Sequence, residues 1–237
     1  SDLQIAAHED CIPIATLHDY CERIRNLSLR EDWRIARIIA RPFNGTPGKY
    51  KFINSARKDY AVKPPKKSIL DSLIENNYNV IGIGKINDIF DCQGINKTIK
   101  AGDNSEAINK LTDIIDKNFT GLCMINLSDF DSSYGHTRDV EGYARAIEEL
   151  DVDISIIINK LELEDLLIIT ADHGNDPTFK GNDHTRENVP VIIYSRNFKE
   201  PKRLKPFETF ANIGATIADN FDIDMPEIGE SILKELK

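Results

Sequence analysis

Residues 166–176 read Leu-Leu-Ile-Ile-Thr-Ala-Asp-His-Gly-Asn-Asp, an apolar run that passes directly into a polar loop. The run is short, uninterrupted and rich in β-branched residues, which predicts a buried strand at 166–170. The loop that follows places two carboxylates and one imidazole at the end of that strand. A strand buried on both faces needs helices on both sides of its sheet, so this stretch favours an α/β fold.

The same alternation of apolar strands and helical patterns continues through the chain beyond residue 63. A Pro-Pro pair at 64–65 breaks regular structure, which predicts domains at 1–62 and 63–237. In the second domain we expect a largely parallel sheet with helices on both faces, where ligands bind beyond the carboxyl ends of the strands. The predicted strands are 35–40, 79–84, 121–127, 166–170 and 189–194, the predicted helices are 14–27, 105–117, 140–159 and 207–220, and a turn is predicted at 42–48.

Composition excludes several functional classes. The 237 residues carry 30 basic and 39 acidic side chains, a formal net charge of −9 without a dense Lys/Arg stripe, so we expect no nucleic-acid partner. No apolar run approaches the roughly 20 residues that span a bilayer, and the first residues lack a signal-peptide profile. We therefore expect a soluble cytoplasmic protein with no membrane partner. The four cysteines form no Cys-x-x-Cys motif, which predicts reduced structural thiols.

Three of the five histidines fall in the polar loops that adjoin the predicted strands, each with an aspartate nearby. The pairs are His136 with Asp131, His173 with Asp172, and His184 with Asp183. Imidazole and carboxylate together suit Mn²⁺, Zn²⁺ or Fe²⁺, and the absence of cysteine disfavours a closed structural zinc site. Several such ligands can hold two metals about 3.5–4 Å apart, as in phosphoryl transfer. The alternative is that Asp172 and Asp183 only cap turns.

A glycine-rich stretch at 82–85, Gly-Ile-Gly-Lys, superficially suggests a phosphate loop. A Walker A motif would need Gly at 79 and Ser or Thr at 86, where the chain has Asn79 and Ile86. A dinucleotide fingerprint fails as well, because Asn87 occupies its third glycine position. We interpret these glycines as close-packing positions at a strand end. Lys85 nevertheless emerges at the carboxyl end of the strand, where it can contact a phosphate.

The polar loops and their flanking residues resemble phosphopentomutase, a family of the alkaline phosphatase superfamily. The most specific block is Thr-Ala-Asp-His-Gly-Asn-Asp-Pro-Thr at 170–178, followed by Asp-His-Thr-Arg-Glu at 183–187. Gly181 and 189–190 match as well, and further matches occur in collinear order at 4–9, 39–42, 57–60, 83–89, 126–131, 134–136, 138–139 and 141–143. The resemblance implies an alkaline phosphatase-like core with part of a smaller α/β cap domain. Residues 1–62 would be the partial cap, and 63–237 the carboxyl-terminal part of the metal-binding core.

The resemblance also implies an activity. Phosphopentomutases are isomerases that move phosphate between the anomeric and terminal oxygens of ribose or deoxyribose, so the implied partner is a pentose phosphate. The family uses a phosphorylated threonine, two Mn²⁺ ions and a sugar bisphosphate activator. Carried onto this chain, the implied ligands are Asp131, His136 and His184 for one ion, and Asp172 and His173 for part of the other. Arg37 and Lys85 match positions that resemble substrate-phosphate contacts.

Two departures from the family accompany the resemblance. At 49–53 the chain reads Lys-Tyr-Lys-Phe-Ile, where the family usually has an arginine after an aromatic residue; Lys51 lacks the planar fork of arginine. The nucleophilic threonine, and an aspartate that completes the second metal site, belong to an amino-terminal portion that this chain lacks. Since the chain has no initiator Met and 3–7 already reads as ordered, we expect it to be part of a longer protein, to require the missing amino-terminal segment as a partner, and to be inactive alone.

Two alternatives remain open at this point. A cofactor-independent phosphoglycerate mutase or a phosphatase of the same superfamily would share the Asp-His-Gly block but fits 183–187 less well. A non-catalytic metal-binding or partner-binding module is the hypothesis from a different class, because the nucleophile is absent. The nearest hydroxyls, those of Ser132, Ser133 and Thr137, are interpreted as stabilising the turn that carries Asp131 and His136.

Overall fold

The computed structural model describes residues 2–30, 33, 35–117 and 119–236, and the chain divides into two units. The first unit comprises Ser1–Lys67 with Asn87–Gln93, and the second comprises Ser68–Ile86 with Gly94–Lys237. The first segment of unit one ends at Lys67, just beyond the Pro-Pro pair, whereas the sequence predicted a boundary after residue 62. The interpretation of these units as partial cap and partial core stays a prediction.

The first unit contains a four-stranded sheet and one long helix. Its elements are β1 (Asp2–His8), α1 (Ile14–Leu27), β2 (Arg37–Asn44), β3 (Lys51–Phe52) and β4 (Lys58–Ala61), with a 3₁₀ turn at Asn54–Ala56. Strand β2 runs parallel to β1 and antiparallel to both β3 and β4. Ile38 and Ala40 of β2 are fully buried in a cluster with Leu17 and Cys21 of α1. The helix predicted at 14–27 is confirmed.

Strand β2 is longer than the sequence predicted. The expected turn at 42–48 was wrong at its start, because Pro42 and Phe43 continue the strand as far as Asn44. Proline lacks the backbone N–H donor but keeps the carbonyl acceptor. The Pro42 carbonyl accepts a hydrogen bond from the Ile53 N–H at 2.9 Å, so the strand tolerates proline at this position.

The remaining elements form an α/β arrangement around β5, except α3, most of which belongs to the first unit. They are α2 (Ile69–Glu75), β5 (Asn79–Ile83), α3 (Ile86–Ile89), β6 (Lys97–Ile99), α4 (Asn104–Ile115), β7 (Gly121–Ile125), α5 (Val140–Lys160), β8 (Leu167–Thr170), β9 (Val191–Tyr194), α6 (Ala211–Asn220) and α7 (Leu233–Leu236). Strand β5 lies between β6 and β7 and is parallel to both. Ile83 pairs with Ile125, so the carboxyl ends of β5 and β7 lie at the same edge of the sheet.

Strand β5 is buried on both faces. Ile81 and Ile83 pack in a cluster with Leu111 of α4 and Ile157 of α5. Side chains alternate along a strand, so Val80 faces the opposite side, where it is only 1% exposed. Helix α2 also contacts β5. The predicted α/β class, with a mostly parallel sheet and helices around it, is confirmed.

Strands β8 and β9 form a separate antiparallel pair, with Leu167 opposite Tyr194. A parallel pair would need a crossover connection, usually a helix. The connecting residues 171–190, all of them described, instead form turns and one isolated bridge between Gly174 and Thr185. The loop therefore folds back on itself, and β9 returns alongside β8 in the opposite direction.

The helix starts follow local capping. The Asp103 side chain accepts from the Glu106 N–H before α4, and Asp139 accepts from the Gly142 N–H before α5. Helix α6 begins at Ala211, later than the predicted start at 207. Within the described ranges, no helix combines the length and the apolar character needed to cross a bilayer.

Candidate metal centre

A π-helical turn follows β7 and brings Asp131 and His136 together. The turn covers Phe130–Gly135, and the His136 N–H donates to the Asp131 carbonyl at 2.9 Å, an i to i+5 bond. A π turn places residues five apart above one another, and single π turns are frequent at functional sites. The side chains meet accordingly: His136 Nε2 lies 3.4 Å from Asp131 Oδ1.

The base of this turn is fastened to α4. The Asp129 carboxylate accepts from the Asn104 N–H at 2.9 Å, and the Asp129 N–H donates to the Asn104 side-chain oxygen at 3.0 Å. Two reciprocal hydrogen bonds of this kind leave little freedom at the start of the turn. The Asp131 side chain is therefore presented from a defined backbone at the carboxyl edge of the sheet.

The loop after β8 supplies the second set of polar side chains. The Thr185 N–H donates to the Gly174 carbonyl at 3.0 Å, which closes the bridge between the two halves of the loop. This bridge brings the neighbouring residues His173 and His184 face to face, and their rings stack with centroids 3.7 Å apart. His173 also lies beside Asp172, with 3.6 Å between Nε2 and Oδ2.

The two loops meet at Asp131. His184 Nε2 lies 3.2 Å from Asp131 Oδ1, and the rings of His136 and His184 have centroids 4.9 Å apart. Asp131, His173 and His184 each offer one ligand atom, and these atoms lie within 4.8 Å of one another. Partial desolvation lowers the pKa of the half-exposed His184 and the neighbouring His173 lowers it further, while Asp131 opposes both. The neutral imidazole that a metal requires is thereby favoured.

The donor chemistry fits a divalent transition metal. One carboxylate and several imidazoles are the ligands that Mn²⁺, Zn²⁺ and Fe²⁺ share. His136 Nδ1 lies 2.5 Å from the Asn182 carbonyl oxygen, which can only accept, so Nδ1 donates and Nε2 keeps its lone pair on the side of Asp131. The donor atoms of Asp131, His136, His173 and His184 therefore fit such metals.

Comparison with known proteins agrees with this chemistry. Residues 55–225 match the Metalloenzyme superfamily. The chain belongs to the Metalloenzyme superfamily. A solved structure, that of the PH0037 protein from Pyrococcus horikoshii, is similar at 15% sequence identity and a TM-score of 0.47. The similarity covers 59% of this chain and 38% of that one, so this chain spans well under half of that protein's length.

Membership of the Metalloenzyme superfamily supports a metal at the cluster, and the structure places the five predicted ligands as follows. Asp131, His136 and His184 are in mutual contact, and His173 joins them by stacking on His184. Asp172 touches His173 and is exposed. His173 thus approaches Asp131 and His184 as well as Asp172. The division of the five side chains between two ions stays a prediction.

The two predicted phosphate contacts lie in different units. Lys85 is exposed and directly follows β5, at the edge that β5 shares with β7. The preceding Gly84 has a φ of +76°, and a Cβ there would lie 2.9 Å from the Asn126 carbonyl, so glycine is required beside the β7 loop. Arg37 belongs to β2 of the first unit, where its guanidinium donates to both carboxylate oxygens of Asp2 at 3.2 and 2.6 Å.

Two residues of this Metalloenzyme superfamily site had no role assigned from the sequence. Asn175 is buried, donates from Nδ2 to Asp131 Oδ1 at 2.7 Å, and accepts at Oδ1 from Arg138 at 2.7 Å. Both residues lie within the blocks that resemble phosphopentomutase, at 170–178 and 138–139, but neither is a metal ligand by type. The signal in the sequence is an amide and a guanidinium close to aspartate-histidine pairs, since such groups often hydrogen-bond to metal ligands and orient them.

Proposed function

We propose that the protein is a phosphopentomutase, which interconverts ribose or deoxyribose 1-phosphate and 5-phosphate. The proposal includes two Mn²⁺ ions, a phosphothreonine and a sugar bisphosphate activator. The observation that carries it is the convergence of Asp131 with His136 and His184, at 3.4 and 3.2 Å, in a chain of the Metalloenzyme superfamily. The blocks at 170–178 and 183–187 add the substrate class, because they resemble phosphopentomutase more than other mutases.

The metal centre has a simple electrostatic task in this proposal. Bound divalent ions supply positive charge that stabilises the oxygens of the transferred phosphoryl group. The protein side chains hold and orient that charge: Asp131, His136 and His184 at one position, Asp172 and His173 at the other. Asn175 keeps Asp131 in place through its 2.7 Å hydrogen bond.

Lys85 and Arg37 are the proposed phosphate contacts. The exposed Lys85 lies at the carboxyl end of β5, and an ammonium there offsets the carboxylates of an acidic protein. Arg37 already donates to Asp2 and lies 4.0 Å from Asp59. A substrate phosphate would have to compete with these carboxylates for the guanidinium.

The proposed nucleophile is a threonine outside this chain, in the expected amino-terminal segment. The nearby hydroxyls are engaged in the π-helical turn: Ser132 donates to the Ser128 carbonyl at 2.8 Å, and Thr137 donates to the Ser133 carbonyl at 2.6 Å. Ser133 itself donates to Asp129 at 3.4 Å. These bonds support the turn-stabilising interpretation, so a nucleophilic role for any of the three would require a rearranged turn.

The test is a set of assays on the full-length protein with Mn²⁺ and a sugar bisphosphate. We expect conversion of ribose 1-phosphate to ribose 5-phosphate at about 10 s⁻¹, the ordinary enzyme scale. Asp131→Asn should lower turnover and Mn²⁺ affinity by more than the roughly 10–100-fold lost when a group that only supports a ligand is changed, because it removes a charged ligand. Asp113→Asn on the exposed face of α4 is the matched control and should change neither.

The alternatives give different products in the same assays. Turnover of phosphoglycerate in place of pentose phosphate would assign a phosphoglycerate mutase. Release of inorganic phosphate without isomerisation would assign a phosphatase. Mn²⁺ binding without any turnover would favour the non-catalytic module.

A further inference from the structure

Arg138 occupies an unusual backbone position next to the metal centre. Its φ is +58°, in the left-handed region that glycine adopts most readily. A residue other than glycine is strained at such a φ, and it persists there when its surroundings stabilise it. The residue lies between the π-helical turn and α5, close in sequence to His136.

The guanidinium of Arg138 is surrounded by oxygen acceptors from both loops. It donates to the Gly135 carbonyl at 2.9 Å in its own loop. Across the site it donates to the Asp176 carbonyl at 2.9 Å, the Asp183 carbonyl at 2.6 Å and, through Nε, the Gly181 carbonyl. The planar guanidinium reaches acceptors in both loops at once through Nε, Nη1 and Nη2, which the single ammonium of lysine cannot. The two N–H groups of Nη1 are shared among the Gly135 and Asp176 carbonyls and the side-chain oxygen of Asn175.

The bonds to Gly181 and Asp183, and a further bond to Asn175, connect Arg138 with candidate metal ligands. The Gly181 and Asp183 carbonyls flank Asn182, whose own carbonyl accepts from His136 Nδ1 at 2.5 Å. Asp183 also directly precedes His184. On the other side, Arg138 donates to Asn175 Oδ1 at 2.7 Å, so the amide nitrogen of Asn175 faces Asp131 Oδ1. One guanidinium is thus hydrogen-bonded to groups that contact or adjoin Asp131, His136 and His184.

We propose that Arg138 is the positioning residue of the metal centre, acting through Asn175 and through the Asn182 carbonyl rather than by contact with metal or substrate. The inference rests on the metal centre of the proposed function and identifies what gives that centre its shape. Carbonyl groups that accept from the second nitrogen of a metal-binding imidazole fix its tautomer and ring orientation. Arg138 holds such a carbonyl in place for His136.

The test uses the full-length protein and Arg138→Gly, which removes the guanidinium while keeping a residue suited to the positive φ. In the metal-free protein, ¹⁵N NMR of the histidine side chains should show His136 with its proton on Nδ1. In Arg138→Gly this signature should shift towards the Nε2–H form, because the Asn182 carbonyl is no longer held. Calorimetric titration with Mn²⁺ should show affinity lowered by about 10–100-fold. Arg145→Ala, an exposed arginine of α5, is the matched control and should leave both readouts unchanged.

Arg138→Lys separates the effect of the planar guanidinium donors from the effect of the positive charge. It keeps the positive charge but loses the planar donors, so both readouts should stay impaired; full recovery in this variant would overturn the proposal. Retention of the Nδ1–H signature in Arg138→Gly would overturn it too, whatever the Mn²⁺ result. Failure of the unmodified protein to bind Mn²⁺ would count against the proposed metal centre, and the NMR readout would still decide the role of Arg138.

Discussion

Gly135→Ala probes the contact on which the geometry of the metal centre depends. Gly135 is buried in the π-helical turn, and a Cβ added there would lie 2.4 Å from Asn175 Nδ2 and 2.6 Å from Asn175 Cγ. The same Cβ would lie 2.9 Å from the Phe130 carbonyl oxygen. Non-bonded heavy atoms are most stable about 3.5–4.0 Å apart, so Asn175 would have to move by roughly 1 Å.

Asn175 has no free path for such a movement. It is 9% exposed and is hydrogen-bonded to Asp131 and Arg138 at 2.7 Å each. Overpacking in a close-packed site costs about 1–3 kcal/mol. We expect Gly135→Ala to lower the free energy of unfolding by that amount. We also expect it to weaken Mn²⁺ binding about 10–100-fold, as for other groups that support metal ligands.

Urea denaturation and calorimetric Mn²⁺ titration of the full-length protein measure the two effects. Gly214→Ala is the matched control, because Gly214 lies in α6 and a Cβ there would meet Ile69 Cγ2 at 3.8 Å, an ordinary contact. Alanine is favoured over glycine in a helix by about 0.8–1.0 kcal/mol, so the control should be at least as stable as the unmodified protein. If Gly135→Ala behaved like this control in both measurements, the close approach of Asn175 would not shape the site, and the reasoning would fail.

Three further predictions concern single side chains. In the metal-free protein, the NMR titration midpoint of His184 should fall below 6.5, because partial burial and His173 lower its pKa more than Asp131 raises it. Asp131→Asn should lower the midpoint further, and a midpoint above 6.5 would contradict the packing around His184. Burial raises the pKa of the Cys123 thiol to about 11. Mass spectrometry at pH 8 should therefore show Cys123 reacting with a thiol reagent far more slowly than the exposed Cys11 and Cys92. Equal rates would argue against a packed β7. In the full-length protein, Lys85→Ala should raise the KM for ribose 1-phosphate while calorimetry shows unchanged Mn²⁺ affinity, and an unchanged KM would remove Lys85 from the phosphate site.

Local sequence pattern was enough for most of the secondary structure. The helix at Ile14–Leu27 follows from apolar spacing of three and four residues, and α5 starts where Asp139 can cap it. Strands β5 and β7 follow from short apolar runs. Exceptions occur where a distant partner decides the conformation: Pro42 stays in β2 because Ile53 donates to its carbonyl, and β9 runs antiparallel to β8 because the loop between them folds back.

The sequence by itself determined which chemistry the centre can have, because residue types and their order along the loops fix the available donors: three imidazoles and the adjoining carboxylates after apolar strands. Only the tertiary structure decided how those donors meet. The π-helical turn, the Gly174–Thr185 bridge and the positive φ of Arg138 are backbone conformations without a periodic sequence pattern. The Arg138 hydrogen bonds join loops far apart in the chain, and such bonds depend on the folded backbone rather than on neighbouring residues.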